Sequence, residues 1–204
     1  MKFRFIAFLL IFSLHLSYSQ KKKYYLDENN RQITKGEFKN FDIGNYKYLK
    51  LSYENDTAKV RKIEKRELKG KLDKEKYHQI IKFLAKKDSK TVDSTKTIII
   101  NYHPGKDECN TTGNSEYVIN LYRNFLADIK LIRNVNQYFF YKSQSGLEFF
   151  KGNFDWLADD ERIFEKSFFP IQYPCGSYLI IYPNRDYYVY KGEYYILEIL
   201  QKVK

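Results

Sequence analysis

The residues best suited to chemistry in this chain are its two cysteines, Cys109 and Cys175, in a sequence of 204 residues. Each lies in a segment typical of a loop, because Cys109 follows Pro104-Gly105 and Cys175 stands between Pro174 and Gly176. A cysteine thiolate can attack an electrophile, bind a soft metal ion or take part in a disulfide. Sequence spacing alone leaves these three uses open.

One of these loops also carries other residue types that bind metals. His103, Asp107, Glu108 and Cys109 fall within seven positions of each other. Their spacing matches no closed tetrahedral motif, and His78 belongs to a separate predicted helix. We therefore predict no metal site, and no pattern in the chain calls for an organic cofactor.

Three consecutive acids, Asp159, Asp160 and Glu161, could supply carboxylates for acid–base catalysis. Consecutive acids early in an exposed helix also complement the helix dipole, and we favour this structural role. No motif in the sequence therefore identifies a reaction, and the sequence favours a protein that is not an enzyme.

The N-terminus predicts export. Lys2 and Arg4 precede an apolar run over 5–12, and Ser17-Tyr18-Ser19 supplies small residues for cleavage after Ser19. The apolar run is too short to span a bilayer of roughly 30 Å, and no transmembrane segment is predicted after it. We expect a periplasmic or extracellular protein, in a compartment where disulfides persist.

The chain is basic, with a formal net charge of +11. Such an excess attracts polyanions, but the densest stretch, Lys59 to Lys71, is interrupted by acidic and apolar residues. This mixture is typical of a solvated face, and we expect no nucleic acid partner. The 20 Tyr and 16 Phe provide ample side chains for a core.

Hydrophobic periodicity predicts the elements that must position the cysteines. Two strands joined through a helix are expected to be parallel, and two joined by a four-residue turn to be antiparallel, which gives a mixed α/β sheet with helices on both faces. The predicted elements, in chain order, are a short strand near 24–26, a hairpin over 46–68, a helix over 73–87, a strand over 97–102, a helix over 115–132, a strand over 137–142, a helix over 154–168, a hairpin over 177–191 and a helix from 192.

From Lys96 to Lys204 this order resembles the βαβαββα core of the thioredoxin superfamily. The segment Tyr178-Leu-Ile-Ile-Tyr-Pro-Asn-Arg-Asp-Tyr187, followed by Tyr-Val-Tyr-Lys-Gly192, is similar to the strand, turn, strand and glycine that close such domains. A hairpin and helix before the core also occur in exported thiol-disulfide reductase-like members. After the predicted signal peptide over 1–19, the resemblance implies an N-terminal extension over 20–95 and a thioredoxin-like core over 96–204.

The resemblance implies a site between the first core strand and its helix, where reductases of this superfamily carry C-x-x-C. Here Lys106 stands at the position of the nucleophilic cysteine, and Cys109 stands at that of the resolving one. A dithiol cycle within this motif is therefore excluded, because one of its two thiols is absent.

A second loop of the superfamily, which carries a cis-proline and faces the active site, corresponds to 173–177. Ser177 takes the proline position, and Cys175 lies within the loop. The resemblance thus implies that Cys109 and Cys175 occupy neighbouring loops. There they could form a structural disulfide, stay as two unpaired or separately buried thiols, or act as a redox pair. We favour the disulfide, because exported compartments let such a bond persist. The long closed loop would stabilise the fold by about 4 kcal/mol.

Three functions follow from these residues. The first is an exported thioredoxin-like binding or structural module of the cell envelope, with an unidentified protein or ligand as partner. The second is an atypical thiol-disulfide or peroxide-handling enzyme in which Cys109 attacks and Cys175 resolves. The third is a polyanion or cell-wall binder that uses the basic excess, and it predicts salt-sensitive retention on heparin.

Overall fold

The computed structural model describes residues 21–89, 91–107, 115–150 and 152–203. The predicted signal peptide, Cys109 and Glu108 lie outside these ranges. A short 3-10 helix covers Glu148–Phe150. The strands and α-helices of the described residues, in chain order, are β1 (Lys22–Leu26), α1 (Lys35–Asn40), β2 (Tyr48–Glu54), β3 (Ala58–Lys65), β4 (Glu67–Lys71), α2 (Lys74–Asp88), β5 (Thr97–His103), α3 (Ser115–Leu131), β6 (Val135–Tyr141), β7 (Trp156–Ala158), α4 (Ile163–Phe168), β8 (Ser177–Ile181), β9 (Asp186–Lys191) and α5 (Glu198–Val203).

The chain divides into two compact units. The smaller holds the residues up to Phe41 together with Ser52–Ile63, and the larger holds Asp42–Leu51 and everything from Glu64 onward. In the smaller unit β1 runs parallel to β3. Thr34 starts α1 with a capping box, and Phe38 of that helix packs on Tyr25 with ring centroids 5.5 Å apart.

A six-stranded mixed sheet forms the centre of the larger unit, in the order β4-β9-β8-β5-β6-β7. Strand β5 is parallel to β6 and antiparallel to β8, and β6 is parallel to β7. Strand β9 is antiparallel to both β8 and β4. The predicted α/β class with a mixed sheet is confirmed.

The two faces of this sheet carry separate cores because side chains alternate along a strand. Ile98, Ile100 and Tyr102 of β5 pack in one cluster with buried residues of α2 and α4. Ile99 packs in the other cluster with buried residues of α3 and α5. The predicted placement of helices on both faces is therefore confirmed.

The predicted helix over 154–168 is wrong in its first half. Residues 156–158 form β7 at the edge of the sheet, and α4 begins at Ile163. The predicted final helix also begins late, at Glu198 rather than near Gly192. Gly192 has a φ of 80°, which does not belong to a right-handed helix.

Strand β4 and helix α2 belong to the larger unit, although the sequence assigned them to an extension ending at 95. Strand β4 pairs with β9, and α2 buries Ile80, Phe83 and Leu84 in the same core as β5. Local periodicity detects an amphipathic helix but not the sheet against which it packs. The predicted start of a thioredoxin-like core at 96 stays a prediction.

Candidate functional site

The predicted site lies where β5 ends and β8 begins. Strand β5 ends at His103, and the chain continues through Pro104 and Gly105, which are buried, to Lys106, which is exposed. The start of β8 pairs with the end of β5, because Ser177 is the partner of Tyr102. The two loops that the sequence singled out therefore leave the sheet at the same end, where β5 stops and β8 starts.

A hydrogen bond joins these two loops directly. The backbone N–H of Cys175 donates to Oδ2 of Asp107 over 2.8 Å. Cys175 has a φ of 66° and Gly176 a φ of 139°. The glycine is required, because a Cβ at that position would stand 3.2 Å from the backbone oxygen of Tyr102.

Cys175 is half-buried and is not a free thiol in the structure. Asp107 is also half-buried and is the last described residue before the gap that contains Glu108 and Cys109. The structure thus brings Asp107 to the Cys175 loop. The pairing of Cys109 with Cys175 stays a prediction, because Cys109 lies outside the described residues.

His103 is a buried structural side chain in this arrangement. Its Nε2 atom lies 3.2 Å from the carbonyl oxygen of Ser145, and its ring meets Trp156 edge-on with centroids 5.8 Å apart. Burial lowers the pKa of His103, against the backbone carbonyl of Ser145 and the charges of Asp107 and Glu148, which raise it. A neutral imidazole is therefore favoured at this end of β5.

No group of three or more metal-binding side chains occurs among the residues that the structure describes. His78, the other histidine in those ranges, is exposed on α2. This finding covers His103 and Asp107 but not Glu108 or Cys109.

Ser177 holds the backbone rather than facing a substrate. Its side chain is buried, and Oγ accepts a hydrogen bond from the N–H of Gly192 over 3.1 Å. The bond connects the first residue of β8 to the residue just after β9. Ser177 therefore stabilises the hairpin that closes the sheet.

The three consecutive acids have different environments. Asp160 pairs with Lys87 at 2.6 Å and Glu161 with Lys86 at 2.6 Å, and both carboxylates are exposed. Asp159 is buried, and its carboxylate accepts the N–H groups of the first three residues of α4 at 2.7, 3.3 and 2.8 Å. The sequence favoured acids that complement a helix dipole from an exposed position. Asp159 does stabilise the start of α4, but it does so by accepting hydrogen bonds directly from a buried position.

Asp159 also accepts a hydrogen bond from the hydroxyl of Tyr102 over 3.2 Å. Burial raises the pKa of Asp159, while the three amides and Tyr102 act in the opposite direction. All the polar contacts of this carboxylate are thus made within the fold.

An aromatic cavity of about 410 Å³ opens beside His103. Its walls include Tyr141 at the end of β6, Trp156 of β7 and Phe154, with Gln144 and Glu148 as polar groups. Ligands of open α/β sheets bind beyond the carboxyl ends of strands, and this cavity lies there. The lining residues all fall within 141–156, the connection from β6 to β7, and the predicted helix over 154–168 concealed the cavity.

The basic stretch Lys59 to Lys71 is not a uniformly solvated face. Glu64 and Arg66 within it are buried, with 8% and 7% of their surfaces exposed. Glu64 lies on the same face of β3 as Ala58 and Val60, whereas Arg66 lies just after the strand and no local pattern marks it as buried.

A scan against protein-family models finds no match for this chain, and a search of curated proteins finds none either. Within the described part of the chain, every helix is too short or too polar to cross a membrane.

Proposed function

We propose that this chain is an exported, non-catalytic binding module with a thioredoxin-like core. In this proposal, a structural disulfide between Cys109 and Cys175 connects the loop after β5 to the loop before β8. Two structural features support the thioredoxin-like assignment. Strands β5 and β6 are parallel neighbours separated by α3, and β8 and β9 form an antiparallel hairpin. These two halves meet where β5 pairs with β8.

The observation that carries the proposal is the hydrogen bond from the Cys175 backbone to Asp107. Asp107 precedes Cys109 by only two residues in the sequence. Cys175 is not a free thiol, and the chain has one other cysteine. A bond here would replace the reactive pair of a reductase with a fixed connection.

Binding rather than catalysis is favoured by the neighbouring side chains. Lys106 stands where a reductase carries its nucleophile, His103 is buried against Trp156, and the hydroxyl of Ser177 is engaged by Gly192. The aromatic cavity beside His103 provides a concave surface of the kind that holds small ligands.

Mass spectrometry of the intact protein across a glutathione redox series tests the proposal. We expect one disulfide that survives buffers near −200 mV, because structural disulfides have potentials below about −300 mV. Cys109→Ser and Cys175→Ser variants should each expose one thiol and lose about 4 kcal/mol of stability at most.

Ready exchange with glutathione near −200 mV would contradict the structural disulfide and favour the redox enzyme. Two free thiols in the oxidised protein would contradict both. The two serine variants distinguish these cases. In a redox enzyme, Cys175→Ser removes the resolving thiol, so Cys109 should accumulate as a mixed disulfide with glutathione.

A further inference from the structure

A second cavity, of about 390 Å³, lies at the junction of β3 and β4. None of its lining residues belongs to the Cys175 loop or to the aromatic cavity beside His103. Its lining includes Tyr46, Lys47, Lys65, Arg66, Glu67 and Tyr190. Three cations and one carboxylate make this a basic site with aromatic walls.

Arg66 is held in place by its own backbone. It is the single residue between β3 and β4, its N–H donates to the carbonyl oxygen of Lys47 over 3.0 Å, and its oxygen accepts from the N–H of Lys191 over 2.9 Å. Strand β9 and the segment before β2 therefore fix it from two directions. A site built on such a residue is preorganised.

The guanidinium of Arg66 is only partly satisfied. Its Nη1 atom donates to the carbonyl oxygens of Lys191 and Glu193 at 3.3 and 3.0 Å. Its buried Nε atom has no hydrogen-bond partner among the described residues. No carboxylate in those ranges forms an ion pair with Arg66, since the buried acid nearby in sequence, Glu64, pairs with Lys191.

Burying an arginine without an anion is costly, because the charge loses its hydration. Arg66 has 7% of its surface exposed and still lines an open cavity. An arginine presents paired N–H groups that match the two oxygens of a carboxylate or phosphate. A carboxylate or phosphate is therefore the kind of group that this site is suited to receive.

Close packing at Gly192 makes room for the guanidinium. A Cβ on Gly192 would stand 3.1 Å from Nη1 of Arg66 and 3.0 Å from Cδ1 of Leu49. With its φ of 80°, this residue also has a conformation that favours glycine. A larger residue would displace the arginine.

The rim of the cavity has exposed groups suited to a ligand. Tyr46 has 71% of its surface exposed and a φ of 67°, an unusual conformation for a bulky residue. The guanidinium of Arg66 lies 5.9 Å from the Tyr46 ring and 5.7 Å from the Tyr190 ring. Lys47 and Lys65 are exposed beside them.

We propose that this cavity binds a sugar-sized organic anion, whose carboxylate or phosphate group pairs with Arg66 and whose ring lies against Tyr46. The volume is within the range of small-ligand pockets. Lys47 and Lys65 add long-range attraction for the anion. This site is independent of the disulfide, so either proposal can fail alone.

Calorimetric titration of the full protein after signal removal tests the site with four probes at one ionic strength. D-galacturonate carries the carboxylate, glucose 6-phosphate carries the phosphate, and D-glucose and inorganic phosphate separate ring from charge. We expect at least one anionic sugar to bind at least tenfold more tightly than glucose and inorganic phosphate, and the tighter of the two identifies the oxyanion.

Failure of both anionic sugars to bind below 10 mM would overturn the proposal, as would equal affinity for glucose. Inorganic phosphate binding as tightly as glucose 6-phosphate would overturn the role of Tyr46 as a surface for the ring.

Variants locate the binding. Arg66→Gln should weaken it by about tenfold or more, because a charged hydrogen-bonding group is lost. The Arg66 side chain also holds two carbonyl groups, so a paired change on the rim, Lys47→Gln with Lys65→Gln, tests the site without altering buried contacts. We expect that pair to weaken binding three- to tenfold.

The matched control is Lys82→Gln with Lys130→Gln, which removes the same charge from exposed positions on α2 and α3. It should keep wild-type affinity. An equal loss in the control pair would assign binding to the overall charge, and undiminished binding in the rim pair would place the ligand elsewhere.

Discussion

His103 shows how burial changes what a residue can do. By type and position it could have been a metal ligand or a base, yet its ring packs on Trp156 and its Nε2 atom meets the Ser145 carbonyl oxygen. A Cβ on Gly146 would stand 3.1 Å from that nitrogen, so the neighbouring turn closes over the ring. A protonated imidazole is disfavoured there because little water reaches it.

This burial predicts that His103 makes stability fall as the pH drops from 7 to 5. The pKa of His103 is lowered in the folded state from its ordinary 6.5, so below that pH the unfolded chain binds a proton that the folded chain does not. The loss is at most about 1.4 kcal/mol per pH unit. Urea denaturation at pH 7, 6 and 5 measures it.

His103→Gln should reduce this slope, and His78→Gln, a change on the exposed surface of α2, should retain it. An unchanged pH dependence in His103→Gln would mean that other groups produce the slope.

At the scale of elements, short structures here depend on single polar side chains. Helix α4 has six residues, too few to be stable alone, and Arg162 at its start supplies no side-chain cap. Asp159 caps the helix instead, because its carboxylate accepts hydrogen bonds from three amide N–H groups of α4 and from the Tyr102 hydroxyl. This carboxylate therefore connects α4 to β5.

We predict that Asp159→Asn lowers the free energy of unfolding by about 1–3 kcal/mol, because an amide cannot accept all of these bonds and would bring buried donors of its own. Thermal or urea denaturation measures the change. Asp160→Asn is the control, since that side chain is exposed and should matter little. Similar losses in the two variants would argue against a special role for Asp159.

At the scale of the whole molecule, the six-stranded sheet joins distant parts of the sequence. Strand β4 at one edge comes from residues 67–71, and its partner β9 comes from residues 186–191. Helix α2 buries Ile80 and Leu84 completely in the core of the same sheet. The larger unit thus needs residues well before the predicted start of the core at 96.

A fragment containing residues 96–204 should therefore fail to fold cooperatively, although it holds every element of the predicted core. Without α2, the part of one face of β5 that packs against that helix would be exposed to water, with a loss of several kcal/mol of apolar burial. Circular dichroism during urea denaturation would detect this as a broad transition. A sharp transition like that of the full chain would show that 96–204 is a domain by itself.

Prediction from sequence succeeded where the signal is local. The predicted helix over 73–87 and the predicted strand over 97–102 each depend on residues within one element. It failed at Trp156, where three residues of strand were hidden in a helical period, and at Arg66, where a buried cation lay in a basic stretch. Both depend on partners distant in sequence.

The sequence by itself determined the α/β class, most elements and the absence of a C-x-x-C motif, because these follow from residue types and short-range periodicity. Tertiary structure alone decided that Asp107 meets the Cys175 loop, that Asp159 is buried and that Arg66 lines a cavity. Each of these outcomes depends on which strands become neighbours. Strand pairing joins residues far apart in the chain, and no local pattern encodes the environment that results.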